Sequence, residues 1–406
     1  MKQSLPSEIL NTLFVGLIGK SLCSKLKLKV DKTGFMKLKP PYLLLINHCS
    51  TEDFEVAMTV MYPQPLNFVA SGNRFIRRKF LMDLMGVIKK RQFNIEVDTV
   101  NNIFEVIKMN GVVALYPEEK YSVDGTEGII RPSIGKLIKY LNVPVAMLQL
   151  SGLYLDKPRY SNIRRGAIAS AKLINLLSLQ QVKLYSADEI YTVVFDAFKY
   201  DEYEYQRENR IMLKNKNSAV GLHTILYKCP LCQKEFVISS DKDTLKCSAC
   251  GAQWSIGRYG IIVGNNNTTP FDSVPAWNFY QKKSVKRQLQ EGTYTLEGKC
   301  KLMTLPDNKG YKLSGKGNFS HDKDAFIYNG TMDGKTVMLT FNNSEMYTLS
   351  FKGGESVEFS SHSTVYRFEL EDGLMAAKLS LAVEEAYKLL NPKLTETEEE
   401  AKQSGM

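Results

Sequence analysis

Apolar positions between residues 41 and about 200 follow two rhythms. The unbroken runs YLLLI (42–46), VVALY (112–116) and VPVAMLQL (143–150) have the length and aliphatic character of strands covered on both faces. Between them lie helical spacings. Phe54, Ala57, Met58 and Met61 share one face of EDFEVAMTVMY, while Val100, Ile103, Phe104 and Ile107 share one face of TVNNIFEVIKMNG, which ends at an Asn-Gly cap. SIGKLIKYL is a further helix, and Ser186 with Glu189 forms a capping box that opens another. Strands alternating with helices predict an α/β domain over residues 41–215, a mostly parallel sheet flanked by helices.

The rhythm changes after residue 199. KYDEYEYQRENRIMLKNK reads as an exposed helix or linker. Residues 290–391 show aromatic and β-branched alternation broken by Gly, Asn and Asp, closed by the helical pattern LMAAKLSLAVEEAYKLL. That is a small antiparallel β domain capped by a helix, compatible with a PH-like barrel and equally with other small barrels or sandwiches. Residues 392–406, with TETEEE, are acidic and poor in apolar residues, the composition of a disordered tail.

At the other end, Ile9 to Gly19 is about half the ~20 residues needed to span a bilayer, and Lys20 closes it. It lacks a small-x-small cleavage site and reads as neither a membrane span nor a signal peptide. Seven lysines and one acid follow between residues 20 and 39. Residues 1–40 therefore fit an amphipathic, basic segment lying on an anionic membrane, and equally a helix that caps the first domain. The chain has 406 residues and a net charge of +10, which suits an anionic partner. GKS at 19–21 is no phosphate loop, because the first glycine of that motif would fall on Phe14.

His48 stands where YLLLI ends and the Phe54 helix begins, the position at which open α/β sheets present their ligands. Asp53 falls in the first helical turn, so its carboxylate can accept a hydrogen bond from one imidazole nitrogen. The other nitrogen can then take a proton from a hydroxyl and make it a nucleophile. Adjacent residues of an extended segment face opposite ways, which argues against Cys49 as a thiol nucleophile paired with His48.

Cys229 and Cys232, then Cys247 and Cys250, form two CxxC knuckles 14 residues apart. This is the spacing of a zinc ribbon over residues 225–260, with four thiolates around a structural zinc and no open coordination position. Disulfides are the weaker reading for a chain expected inside the cell. Few basic residues interleave with aromatics here, so no nucleic acid is expected, and a protein partner of the ribbon fits better.

The region from about 40 to 160 resembles the lysophospholipid acyltransferase family, which includes the bacterial 1-acylglycerol-3-phosphate acyltransferases. NHCSTED is similar to the family's NHxxxxD motif. SGNRFIRRKFLMDLMGVIKKRQ is similar to a basic block leading through a glycine to an arginine, here Gly86 and Arg91. YPEEKYSVDG stands in place of a PEGTRS-like block: Pro117, Glu118 and Ser122 match, whereas Glu119, Lys120 and Tyr121 replace glycine, threonine and arginine. VPVAMLQL around Pro144 is similar to a fourth, valine-proline-valine block.

The resemblance implies acyl transfer from acyl-CoA or acyl carrier protein to the free hydroxyl of a lysophospholipid, with lysophosphatidic acid the leading acceptor. His48 would be the general base and Asp53 its orienting partner. Arg91, Glu118, Lys120 and Ser122 would meet the acceptor, with Arg74, Arg77 and Arg78 as further cations. A cytoplasmic enzyme peripheral to the inner face of a membrane is then expected. The departures in the third block keep two alternatives open: a different acceptor or a transacylase, and a non-catalytic membrane-associated scaffold built on the ribbon and the β domain.

Overall fold

Every residue of YLLLI is buried, which only a strand in the middle of a doubly covered sheet can achieve. The computed structural model describes residues 3–71, 79–90, 97–214, 216–265, 270–305, 310–361 and 364–391. Arg74, Arg77, Arg78, Arg91 and the acidic tail after Asn391 lie outside the described residues. The chain divides into two compact units, residues 1–158 with 164–214, and residues 159–163 with 215–406.

The first unit carries a seven-stranded sheet. Its strands are β1 (Lys29–Asp31), β2 (Tyr42–Ile46), β3 (Asn67–Ser71), β4 (Ile88–Lys90), β5 (Val112–Leu115), β6 (Val145–Ser151) and β7 (Ser170–Leu177), in the order β1-β7-β6-β2-β5-β3-β4. All pairings are parallel except β6 with β7, so the sheet is mixed at that one join. Leu43 and Leu45 point to one face, into a cluster with Ile103, Val106 and Ile107 of helix Val97–Lys108 and Ile134, Leu137 and Ile138 of helix Ser133–Leu141. Helix Ala187–Ala197 completes that layer through Ile190 and Val194 and opens at the capping box of Ser186 and Glu189. Asn110, with φ +57°, makes the left-handed turn that ends helix Val97–Lys108.

The amino-terminal segment runs Glu8–Phe14 as α-helix, Val15–Gly19 as a π turn and Lys20–Lys25 as α-helix. Asn11, Val15 and Gly19 face inward, and a Cβ on Gly19 would lie 2.0 Å from Thr59 Oγ1, so only glycine permits that approach. The opposite face is apolar as well: Ile9, Leu13 and Leu17 are more than half exposed. All seven lysines from Lys20 to Lys39 are exposed. Helix Lys79–Leu84 adds exposed Phe80, Leu81 and Leu84, and Leu84 O accepts a hydrogen bond from Ser7 N at 3.1 Å, which brings the two apolar helices together. Among the described residues, no helix is long and apolar enough to cross a membrane.

The segment after residue 199, expected as an exposed helix or linker, is a helix, but one face of it is buried. Glu202–Asn209 is a helix capped by Asp201, and Glu202, Tyr203 and Gln206 are buried. Polar side chains satisfy backbone there: Glu202 Oε2 accepts Gly152 N at 2.6 Å.

In the second unit, β8 (Ile238–Asp241), β9 (Thr244–Cys247), β10 (Gln253–Ile256) and β11 (Ile262–Gly264) form an antiparallel sheet beside the cysteine knuckles. Helix Val274–Gln290 grips the segment Ile225–Lys228 that leads into the first knuckle. Gln281 accepts Lys228 N at 2.9 Å and donates to Ile225 O at 2.9 Å, while Trp277 Nε1 donates to Lys228 O at 2.9 Å.

Seven antiparallel strands follow: β12 (Leu296–Thr304), β13 (Lys312–His321), β14 (Ala325–Met332), β15 (Lys335–Asn342), β16 (Ser350–Lys352), β17 (Ser356–Ser361) and β18 (Thr364–Leu370). Their order is β15-β14-β13-β12-β18-β17-β16, around a core of Phe319, Phe326, Phe341, Phe359 and Phe368. Helix Met375–Leu390 closes the unit, and its Lys378 reaches Glu235 Oε2 at 2.7 Å, with Lys228 3.4 Å from Oε1.

Burial pushes the Glu202 carboxyl up to about 8, opposed by the Gly152 amide and reinforced by Asp201. The unfolded value is about 4.3. A folded value above the unfolded one means that this group's contribution to stability is complete below about pH 4 and is lost as pH rises toward 8. Glu202→Gln removes that loss. The melting temperature of the variant minus that of the wild type should therefore climb between pH 4.5 and 8 and then level off; a flat difference would contradict the assignment.

Candidate functional site

The sheet delivers the site through the loops that leave the carboxyl ends of neighbouring strands β2 and β5. Asn47 extends the ladder past the end of β2: its side chain donates to Leu150 O at 2.9 Å and accepts Leu150 N at 2.7 Å, bonds that a backbone would otherwise make. His48 comes next, and its peptide is fixed on both sides. Its N–H donates to Glu118 Oε2 at 2.7 Å, and its carbonyl accepts Ser122 N at 2.7 Å.

The imidazole is fixed in turn. Nδ1 lies 2.9 Å from Asp53 Oδ2, and Asp53 begins helix Asp53–Met61 with its carboxyl 1% exposed. Asp53 also accepts Ser50 N at 2.9 and 3.0 Å and the Cys49 thiol at 3.6 Å. Hydrogen bonds to a charged group contribute about 1.5–3 kcal/mol each, enough together to hold a carboxylate away from water. Burial still drives the Asp53 carboxyl well above the ordinary carboxylate range, opposed by the Ser50 amide and the Cys49 thiol and reinforced by Glu118. Such a carboxyl gains most when the ring beside it becomes cationic, so the pair is arranged to receive a proton at Nε2.

Two phenol rings bracket the imidazole. Ring centroids of Tyr116 and Tyr121 lie 4.2 and 3.8 Å from that of His48, inclined by 27° and 31°. Rings this close and this nearly parallel cannot share one face of an imidazole, so they cover opposite faces and leave its edge to exchange protons. Tyr116 continues a row of aromatic rings through Phe68 and Phe54 to Phe14 of the amino-terminal helix, at centroid spacings of 6.3, 4.3 and 5.9 Å.

The third sequence block divides into braces and surface. Glu118 is 1% exposed, and its second oxygen, Oε1, accepts Gly128 N at 2.6 Å. Both oxygens thus hold backbone, and the structure puts Glu118 inside, beneath His48, and not at an acceptor-facing surface. Burial raises its carboxyl to about 7, with the Gly128 and His48 amides pulling the other way. Ser122 is also interior, with Oγ donating to Thr126 O at 2.6 Å and accepting Gly125 N at 2.9 Å. Lys120 is half-buried in the same loop.

Glu119 adopts φ +58°, the left-handed conformation that glycine takes without penalty and that costs other residues roughly 1–2 kcal/mol. Its carboxylate meets Lys90 Nζ at 2.8 Å and Arg131 Nη2 at 3.4 Å. On the other side of the site, Arg164 binds both Glu52, next to Asp53 in the motif, and Asp156.

Sequence reasoning located His48 and Asp53 but missed Asn47, Tyr116, Tyr121 and Arg164. Asn47 had a signal in being the first residue of NHCSTED. Cys49, which the sequence argues against as a nucleophile, has its thiol donating to Asp53 Oδ1 at 3.6 Å. Burial raises that thiol well above its ordinary range, so it stays neutral.

In the second unit, the thiols of Cys229, Cys232, Cys247 and Cys250 lie within 4.8 Å of one another. Cys229–Cys250 and Cys232–Cys247 are both 3.8 Å apart, far longer than a disulfide. Zn–S bonds of about 2.3 Å in a tetrahedron give an edge of about 3.8 Å. The four donors fit a tetrahedral thiophilic ion and could hold one. The knuckles are shaped by Gln233 (φ +61°) and Gly251 (φ +76°), with Gly251 N donating to Cys247 O at 3.0 Å.

No protein-family model matches the chain, and no curated protein matches it. Among solved structures, one similar chain is the 1-acyl-sn-glycerophosphate (LPA) acyltransferase PlsC from Thermotoga maritima, at 14% identity and TM-score 0.38, covering 49% of this chain and 79% of that one. Another is a structure of the Vav1 exchange factor with its PH and C1 domains, at 8% identity and TM-score 0.18, covering 28% of this chain and 34% of that one.

Proposed function

We propose that the chain is an O-acyltransferase that moves a fatty acyl group from a thioester, acyl-CoA or acyl carrier protein, to the free hydroxyl of a lysophospholipid. What carries the reading is the 2.9 Å contact of His48 Nδ1 with buried Asp53, on a peptide clamped by Glu118 and Ser122. His48 Nε2 takes the proton of the acceptor hydroxyl as its oxygen attacks the thioester carbonyl. The tetrahedral intermediate collapses with loss of the C–S bond, and the leaving thiolate takes the proton back from the imidazolium. Glu118 and Ser122 act as positioning residues, and Asn47 holds the loop to β6.

The reading extends to where the acceptor comes from. Exposed Ile9, Leu13 and Leu17, beside Phe80, Leu81 and Leu84 and followed by seven exposed lysines, suit an anionic membrane surface. In the second unit we assign the four thiolates to zinc, in a structural role since no coordination position stays open.

Purified chain incubated with acyl-CoA or acyl carrier protein and a panel of lysophospholipids should form diacyl product. His48→Ala should lower the rate by about 10³-fold, within the range of general-base catalysis, with unchanged circular dichroism. A folded His48→Ala variant that turned over normally would refute the assignment. Replacing both Leu13 and Leu17 by Glu is expected to abolish co-sedimentation with phosphatidylglycerol vesicles while sparing the melting temperature; undiminished binding would remove the membrane face. Metal analysis is expected to find one zinc per chain, and cobalt exchange to give the visible bands of a tetrahedral thiolate site. A metal content near zero in freshly purified protein would rule the centre out.

A further inference from the structure

Each oxygen of Glu119 has its own cation, Lys90 at 2.8 Å and Arg131 at 3.4 Å, an arrangement in which two cations clasp one anion. The carboxylate is 6% exposed and Lys90 12%, so the group is sheltered rather than solvated. It stands one residue after Glu118, which holds the His48 amide, and two residues before Tyr121, which covers the His48 ring. The chain keeps a carboxylate at this point in a left-handed backbone conformation where glycine would be unstrained. Ion pairing offsets that strain only while the two cations remain occupied by Glu119.

We propose that Glu119 is a built-in substitute for an acceptor's phosphate, and that it makes the site select a lysolipid whose headgroup carries no net negative charge. This rests on the acyl-transfer reading and replaces lysophosphatidic acid as its acceptor. An incoming phosphomonoester would have to displace Glu119 from both cations, or else add its charge beside the Glu119 carboxylate that already occupies them. A zwitterionic or uncharged headgroup meets neither cost. Tyr121, in the place where the family resemblance implies an arginine, offers such a headgroup an aromatic face and not a second guanidinium.

The test uses the full chain, wild type, E119G and E119Q, with one acyl-CoA and two acceptors of equal chain length, lysophosphatidylcholine and lysophosphatidic acid, in mixed micelles. Wild type should favour lysophosphatidylcholine in kcat/KM by about tenfold or more. E119G should move that ratio toward lysophosphatidic acid by a similar factor, and E119Q should move it in the same direction. Inorganic phosphate should raise the melting temperature of E119G and leave that of wild type unchanged. A wild-type preference for lysophosphatidic acid, or a ratio unmoved in both variants, would overturn the proposal, as would equal stabilisation of wild type and E119G by phosphate. Absence of any transfer by wild type would strike the acyl-transfer reading instead, and the phosphate titration would then decide the anion subsite by itself.

Discussion

The peptide of His48 is held by two hydrogen bonds from a loop 70 residues away in sequence, and the geometry of the site depends on them. One bond takes its N–H to Glu118, the other brings Ser122 N–H to its carbonyl. A side chain can be aimed no better than its backbone, so the contact between Nδ1 and Asp53 needs this clamp as much as it needs Asp53. The clamp needs the sheet in turn. β2 and β5 are parallel neighbours, and their carboxyl ends release both loops on the same edge. Asn47 anchors the first loop to β6 on the other side, which ties three adjacent strands to one imidazole.

That dependence explains what the sequence disclosed. YLLLI and VVALY are legible because aliphatic runs of that length have few other uses, and His48 is legible because it follows one of them. The Asp53 contact follows from its place at the start of the helix that begins five residues after His48. The aromatic bracket was not legible, since Tyr116 and Tyr121 meet His48 only after β5 has been laid beside β2. Helix Val274–Gln290 escaped for another reason. Its buried positions include Asn278, Gln281 and Ser284, so the apolar period that marks a helix is interrupted by polar groups, among which Gln281 bonds the backbone before Cys229. The segment Glu202–Asn209 misled in the same way, because Glu202 and Gln206 are buried for their hydrogen bonds and not for their hydrophobicity. Polar burial is the common cause of these misses: periodicity registers hydrophobic contact and is blind to satisfied polar contact.

Charge near the site follows the same logic of occupancy. Glu118 is raised to about 7 and Glu202 to about 8 by burial, and Asp53 is raised as well, each opposed by backbone amides that bond its carboxyl. Each amide that stabilises an ionised carboxyl opposes the desolvation and like-charge repulsion that raise it. Protonation of the His48 ring would stabilise the ionised form of Asp53, 2.9 Å from Nδ1.

The departures in the third block take their meaning from this arrangement. Pro117, Glu118 and Ser122 match the family pattern, and the last two are the residues that carry the His48 clamp. The three that depart, Glu119, Lys120 and Tyr121, lie between those braces, and Tyr121 stacks against the His48 ring. On the proposed acyl-transfer reading, base geometry and headgroup recognition fall to different residues of one short loop. Glu119 shows the division best: it takes the left-handed turn that a glycine would make without strain, and its carboxylate has two cations of its own.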